Sequence, residues 1–97
     1  MQSPPLSVQI DRRVLVGTTY LKPGSYTISL LDGPPGQKIL LFFDPKGHVK
    51  ALAKARVASE TKISSGIHLD YASRSGTTSL AQIVTPRIAL MIENRQP

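Results

Sequence analysis

The 97-residue chain has no cysteine, no tryptophan, two methionines, five aromatic residues and six carboxylates. Without cysteine there is no disulfide framework, no thiolate metal site and no cysteine nucleophile, so the fold rests on packing. Long apolar runs are missing too. The longest, Ile39 to Phe43 and Ile88 to Ile92, have five residues each, whereas a membrane-spanning helix needs ~20. A soluble chain is expected. The opening Met1-Gln2-Ser3-Pro4-Pro5 has neither a basic nor an apolar segment, so no secretory leader is expected in it.

The 40% hydrophobic and 19% charged content suits a globular protein and argues against charge-driven disorder. Length allows one domain. A chain of this size buries only about 60–65% of its unfolded surface, so a large enclosed catalytic cavity would compete with the core for apolar side chains. Twelve Lys and Arg against six Asp and Glu give a net charge of +6, which favours anionic partners and also serves solubility.

Residues 1–5 read as an extended, proline-rich arm. Leu6, Val8 and Ile10 alternate with Ser7 and Gln9; Asp11-Arg12-Arg13 interrupts, and Val14-Leu15-Val16 resumes, giving one bent strand or two short ones. Lys22-Pro23-Gly24 predicts a type II turn. Tyr26, Ile28 and Leu30 then share one face of a strand, with Ser25, Thr27 and Ser29 on the other. Ile39-Leu40-Leu41-Phe42-Phe43 is apolar on both faces, the pattern of a central strand. Asp44-Pro45-Lys46-Gly47 predicts a turn. In residues 49–58, Val49, Ala51, Ala53, Ala55 and Val57 alternate with Lys50, Lys54 and Arg56. Ala, Leu, Lys and Arg are also strong helix formers; the alternation selects strand.

Ser59 to Gly66 reads as a turn region, Ile67 to Tyr71 as a strand, Ser73 to Thr77 as a hairpin loop and Ser79 to Val84 as its partner strand. Thr85-Pro86 precedes a last strand, Arg87 to Glu93. Asn94 to Pro97 reads as a tail. The expectation is one all-β domain over residues 6–93, an antiparallel β-sandwich of seven to eight strands, with a small barrel as the alternative.

Reactive constellations are sparse. His48 and His68 stand twenty residues apart without metal-ligand spacing. His68 and Asp70 share a strand face, but no G-x-S-x-G elbow accompanies them. The glycines are spread one per turn, excluding a phosphate-cradling loop. Asp44, Asp70 and Glu93 are too widely spaced to indicate paired-carboxylate chemistry. No enzyme and no cofactor are expected.

Lys50, Leu52, Lys54 and Arg56 form the outward row of the 49–58 strand, with Lys46 and His48 beside it. Cations ~7 Å apart along a strand can follow phosphates or sulfates, with Tyr20, Tyr26 or Tyr71 for stacking. Alternatively, lysines protect an exposed sheet edge. Self-association is the other class of function: the arm and first strand (Pro4, Pro5, Leu6, Val8, Ile10), or the apolar last strand, can add to a neighbour's sheet.

Val16-Gly17-Thr18-Thr19-Tyr20-Leu21-Lys22-Pro23-Gly24-Ser25-Tyr26-Thr27-Ile28 resembles the opening of small secreted bacterial β-sandwich proteins with a Leu-x-Ala/Pro-Gly-x-Tyr strand, and Ser79-Leu80-Ala81-Gln82-Ile83 is similar to their Leu-x-Gln-Ile segment. The Pro-Gly-x-Tyr piece also resembles transthyretin-like and surface-adhesin sandwich modules. The adhesin modules' isopeptide-forming Lys and Asn have no counterpart at a matching position here. The resemblance implies an extracytoplasmic sandwich without catalytic residues. The expected function is therefore a non-enzymatic structural or protein-interaction module that self-associates through sheet edges; the alternative is a basic barrel that binds nucleic acid or an acidic polysaccharide through Lys46, Lys50, Lys54 and Arg56.

Overall fold

The computed structural model describes residues 6–60 and 66–94. Among these there are nine strands and no helix: β1 (Leu6–Ile10), β2 (Val14–Val16), β3 (Thr19–Leu21), β4 (Gly24–Asp32), β5 (Gln37–Phe43), β6 (Val49–Glu60), β7 (His68–Arg74), β8 (Thr77–Val84) and β9 (Ile88–Glu93). No helix among the described residues is long and apolar enough to cross a membrane. The all-β expectation holds, with more strands than the seven to eight anticipated. The N-terminal third supplies the excess: Asp11 to Arg13 breaks β1 from β2, and Gly17-Thr18 folds β3 back onto β2.

All nine strands belong to one open sheet, in the order β1-β4-β5-β6-β9-β8-β2-β3, with β7 also paired to β8. The ladders from β1 through β4, β5, β6, β9 and β8 to β7 are antiparallel. The expectation of a wholly antiparallel sheet is corrected at β2, where Leu15 pairs with Ser79 in parallel and makes the sheet mixed. Because β7 occupies one edge of β8, β2 and β9 share the other.

In β6 the alternation outweighs helix propensity: Ala51, Ala53 and Ala55 are buried, while Lys50, Leu52, Lys54 and Arg56 face outward. Register explains the alanines. Ile28, Phe42 and Ala51 form one cross-strand row on the inner face, and Leu30, Leu40 and Ala53 the next. These join Val8, Ile10, Val14, Val16, Leu80, Ile83 and Leu90 in one apolar cluster. The small side chains of β6 leave room for the β2–β3 hairpin, which packs against it. Gly17 takes φ +66°, and a Cβ there would lie 2.5 Å from the Leu52 carbonyl oxygen, so the turn approaches to a distance only glycine permits.

Three local expectations change. The chain bends at Pro23, where the Tyr26 hydroxyl donates to the Lys22 carbonyl at 2.7 Å, but Gly24 opens β4 at φ +156° instead of the roughly +80° of a type II turn. The hairpin between β7 and β8 is tighter than anticipated and turns through Ser75 and Gly76 alone. β5 is central by pairing, yet only one of its faces is covered: Leu40 and Phe42 are fully buried, whereas Ile39, Leu41 and Phe43 are half-buried on the outer face. Leu31, Leu52 and Met91 are exposed on that same outer side of β4, β6 and β9.

Candidate functional site

The two ends of the antiparallel series are β1 and β7. Each is paired along one edge, β1 by β4 and β7 by β8, and among the described residues no strand pairs with the other edge of either. The sheet curls until these two edges face each other across an open groove of about 610 Å³. Ser7, Gln9 and Asp11 form one bank and Ile67, His68 and Tyr71 the other; Val8 and Leu69 also line it and pack into the core.

One end of this seam is bridged by a long side chain. The Arg12 guanidinium lies 4.5 Å from the centre of the Tyr71 ring, a cation–π contact between the β1–β2 break and β7. Arg12 Nε also donates to Asp11 Oδ1 at 2.8 Å, which holds the Asp11 carboxyl below the usual carboxylate range. The Tyr71 phenol is raised, first by partial burial and then by the Asp11 charge, with Arg12 opposing. The neighbouring Arg13 stacks 4.1 Å over Tyr20. Asp11-Arg12-Arg13, which reads in sequence as a mere interruption, thus ties two strands to the chain break. The residue types were visible; their pairing depends on the three-dimensional path.

Strand direction follows from the ladders. Six successive antiparallel pairings separate β1 from β7, so the two run in the same direction. The lining agrees, since Arg12, past the end of β1, meets Tyr71, in the later part of the 67–71 bank.

The residues expected to self-associate divide. Pro4 and Pro5 lie outside the described residues. Leu6, Val8 and Ile10 lie on β1, but Val8 and Ile10 are buried in the chain's own core, so only the backbone edge of β1 faces outward, not its apolar side chains. The last strand cannot add to a neighbour's sheet as anticipated, because β9 is paired on both sides, by β6 and β8.

The basic residues fall into two places. Lys46 sits in the β5–β6 turn, where Asp44 Oδ1 accepts from the Lys46 and His48 amides at 3.0 and 2.8 Å and the Gly47 amide donates to the Asp44 carbonyl at 2.9 Å. Lys50, Lys54 and Arg56 do line the outer face of β6, but with carboxylates beside them: Lys50 Nζ is 3.8 Å from Asp44 Oδ2, Arg56 is 4.0 Å from Glu93, and Lys54 faces Glu93 in the ladder. The edge-protection reading of these lysines is corrected, since β6 is an interior strand paired by β5 and β9. Arg12 and Arg13 lie over the Tyr71 and Tyr20 rings, and Tyr26 packs against the core. His48 lies 3.7 Å from Asp44, and His68 lines the seam.

No known family model, curated protein or solved structure matches this chain.

Proposed function

We propose that the protein is a non-enzymatic interaction module: a barrel-like sheet with one seam left open, which binds extended polypeptide by strand addition at β1 and β7. The observation that carries this reading is that the two end strands of the antiparallel series, β1 and β7, line the same groove. Along such an edge, backbone N–H and C=O groups bond to water and can exchange it for a partner's backbone. Natural sheets usually guard edges with lysine, proline or a bulge. The β1 sequence Leu-Ser-Val-Gln-Ile has no charge and no proline, and its ladder with β4 runs without a register shift. It is an edge suited to pairing, and a second copy can pair with it as well as a different chain. The carboxylates beside Lys50 and Arg56 weaken the case for a polyanion row.

The test combines sedimentation over a range of protein concentrations with amide hydrogen exchange, alone and with the peptide acetyl-Glu-Val-Thr-Val-Thr-Val-amide. Association through the edges slows exchange in Leu6–Ile10 and in residues 67–71. Protection confined to other strands, or neither self-association nor peptide-dependent protection up to ~1 mM, would overturn the reading.

A further inference from the structure

We infer that the seam takes one strand, running antiparallel to both β1 and β7, from a different polypeptide with alternating apolar and polar residues. This rests on the strand-addition reading and specifies its occupant. Seven strands in antiparallel series leave end strands that point the same way, so direct closure of β1 on β7 would form a parallel ladder. Parallel pairing is slightly weaker per residue, and among the described residues the two edges are bridged by the Arg12 side chain and not by backbone. One added strand removes the mismatch. Antiparallel to β1, it is automatically antiparallel to β7, and the series becomes a ring of eight, a size whose interior side chains can fill.

The banks of the groove specify the occupant further. Side chains pointing inward from the added strand meet Val8, Leu69 and Tyr71 and must be apolar; those pointing outward lie between Ser7 or Gln9 and His68 or Asp70 and must be polar. Uncharged polar residues suit the outward positions beside Asp70, where a carboxylate would meet like charge. Interior proline is excluded, because a strand paired on both sides uses successive N–H groups on alternate edges. A second copy is a poor fit: each of its described strands is already part of its own sheet, so it offers an edge but not an unpaired strand.

Strand direction gives a reading that binding alone does not. An antiparallel occupant has its N-terminal end beside Asp11, Arg12 and Tyr71 and its C-terminal end beside Ser7 and Ile67. The experiment places a benzoylphenylalanine photo-crosslinker at the first or the last position of acetyl-Glu-Val-Thr-Val-Thr-Val-amide and maps its adducts on the full chain by mass spectrometry. The expected result is adducts at residues 11–12 and 71 from the first position and at 6–7 and 67–68 from the last, with exchange protection on both β1 and β7. Replacing the central valine of the peptide by proline is expected to weaken binding at least tenfold. A reversed adduct pattern, or protection of only one of the two strands, overturns the inference and leaves strand addition standing. Absence of both peptide binding and self-association removes both.

Discussion

The backbone amide of Gly17 donates to Asn94 Oδ1 at 2.7 Å, across 77 positions of sequence, while Asn94 Nδ2 donates to the Leu80 carbonyl at 2.8 Å. β9 stops at Glu93, and the next side chain fills the gap between β8 and the tip of the β2–β3 hairpin. Asn94→Ala leaves a part-buried amide and carbonyl without these partners, which costs ~1–3 kcal/mol. Asn94→Asp also loses the donor and sets a carboxylate against the Leu80 carbonyl, so it is expected to cost at least as much. Urea unfolding measures both, and a loss below ~0.5 kcal/mol for the alanine variant would mean that the bridge contributes little.

Gly17 should tolerate substitution less well than other turn glycines. Gly17→Ala combines a left-handed φ, worth ~1–2 kcal/mol, with a clash against backbone that cannot swing aside, worth ~1–3 kcal/mol more. Gly36 has a similar φ of +80° but nothing within 4 Å of an added Cβ. Thermal or urea melts should therefore rank Gly17→Ala below Gly36→Ala; equal losses would show that the hairpin can retreat from β6.

Much of the fold was legible where local pattern and burial coincide. The alternation in residues 25–31 and 49–57 identified β4 and β6, because each has one face in the core and a polar residue at most outward positions. In β5 the same reasoning went too far: five apolar residues imply coverage on both faces, yet hydrophobicity does not report whether a second layer exists, and Ile39, Leu41 and Phe43 stand half-buried. Asn94 read as tail because its two partners lie 14 and 77 residues away. The seam was illegible for a related reason. Leu6, Val8 and Ile10 lie on β1, which is paired along one edge, but which strand faces the other edge follows from the order of six intervening ladders.

Adjacent positions on β6 separate inner from outer face. Ala53 is 2% exposed, paired with Leu40 and close beneath the Gly17 turn, whereas Leu52 is 52% exposed. Ala53→Leu forces extra methylenes into packed space and is expected to cost ~1–3 kcal/mol. Leu52→Lys changes stability by less than ~0.5 kcal/mol, since half of the side chain already stands in solvent and the lysine stem can cover the same neighbour, Leu41. Denaturant midpoints of the two variants check this, and a large loss at Leu52 would show that the outer face is covered in solution.

Acid should weaken the fold through specific carboxylates. Asp44 is held below the usual carboxylate range, chiefly by the His48 amide hydrogen bond, against a desolvation penalty, with further help from His48, the Lys46 amide and the Lys50 charge. Asp32 is lowered mainly by its hydrogen bond from Lys38, and Asp11 by that from Arg12. A group whose folded value is depressed binds protons more readily in the unfolded chain. Its stabilising contribution is therefore complete above the ordinary carboxylate value of about 4 and is lost as pH falls through the lower folded value. Asp44→Asn isolates the charge, because the amide oxygen can still accept from the Lys46 and His48 backbone. Urea melts from pH 7 down to about pH 2 should show a shallower acid limb for the variant than for the parent. Superimposable limbs would mean that the turn is indifferent to ionisation and is held by the neutral hydrogen bonds alone.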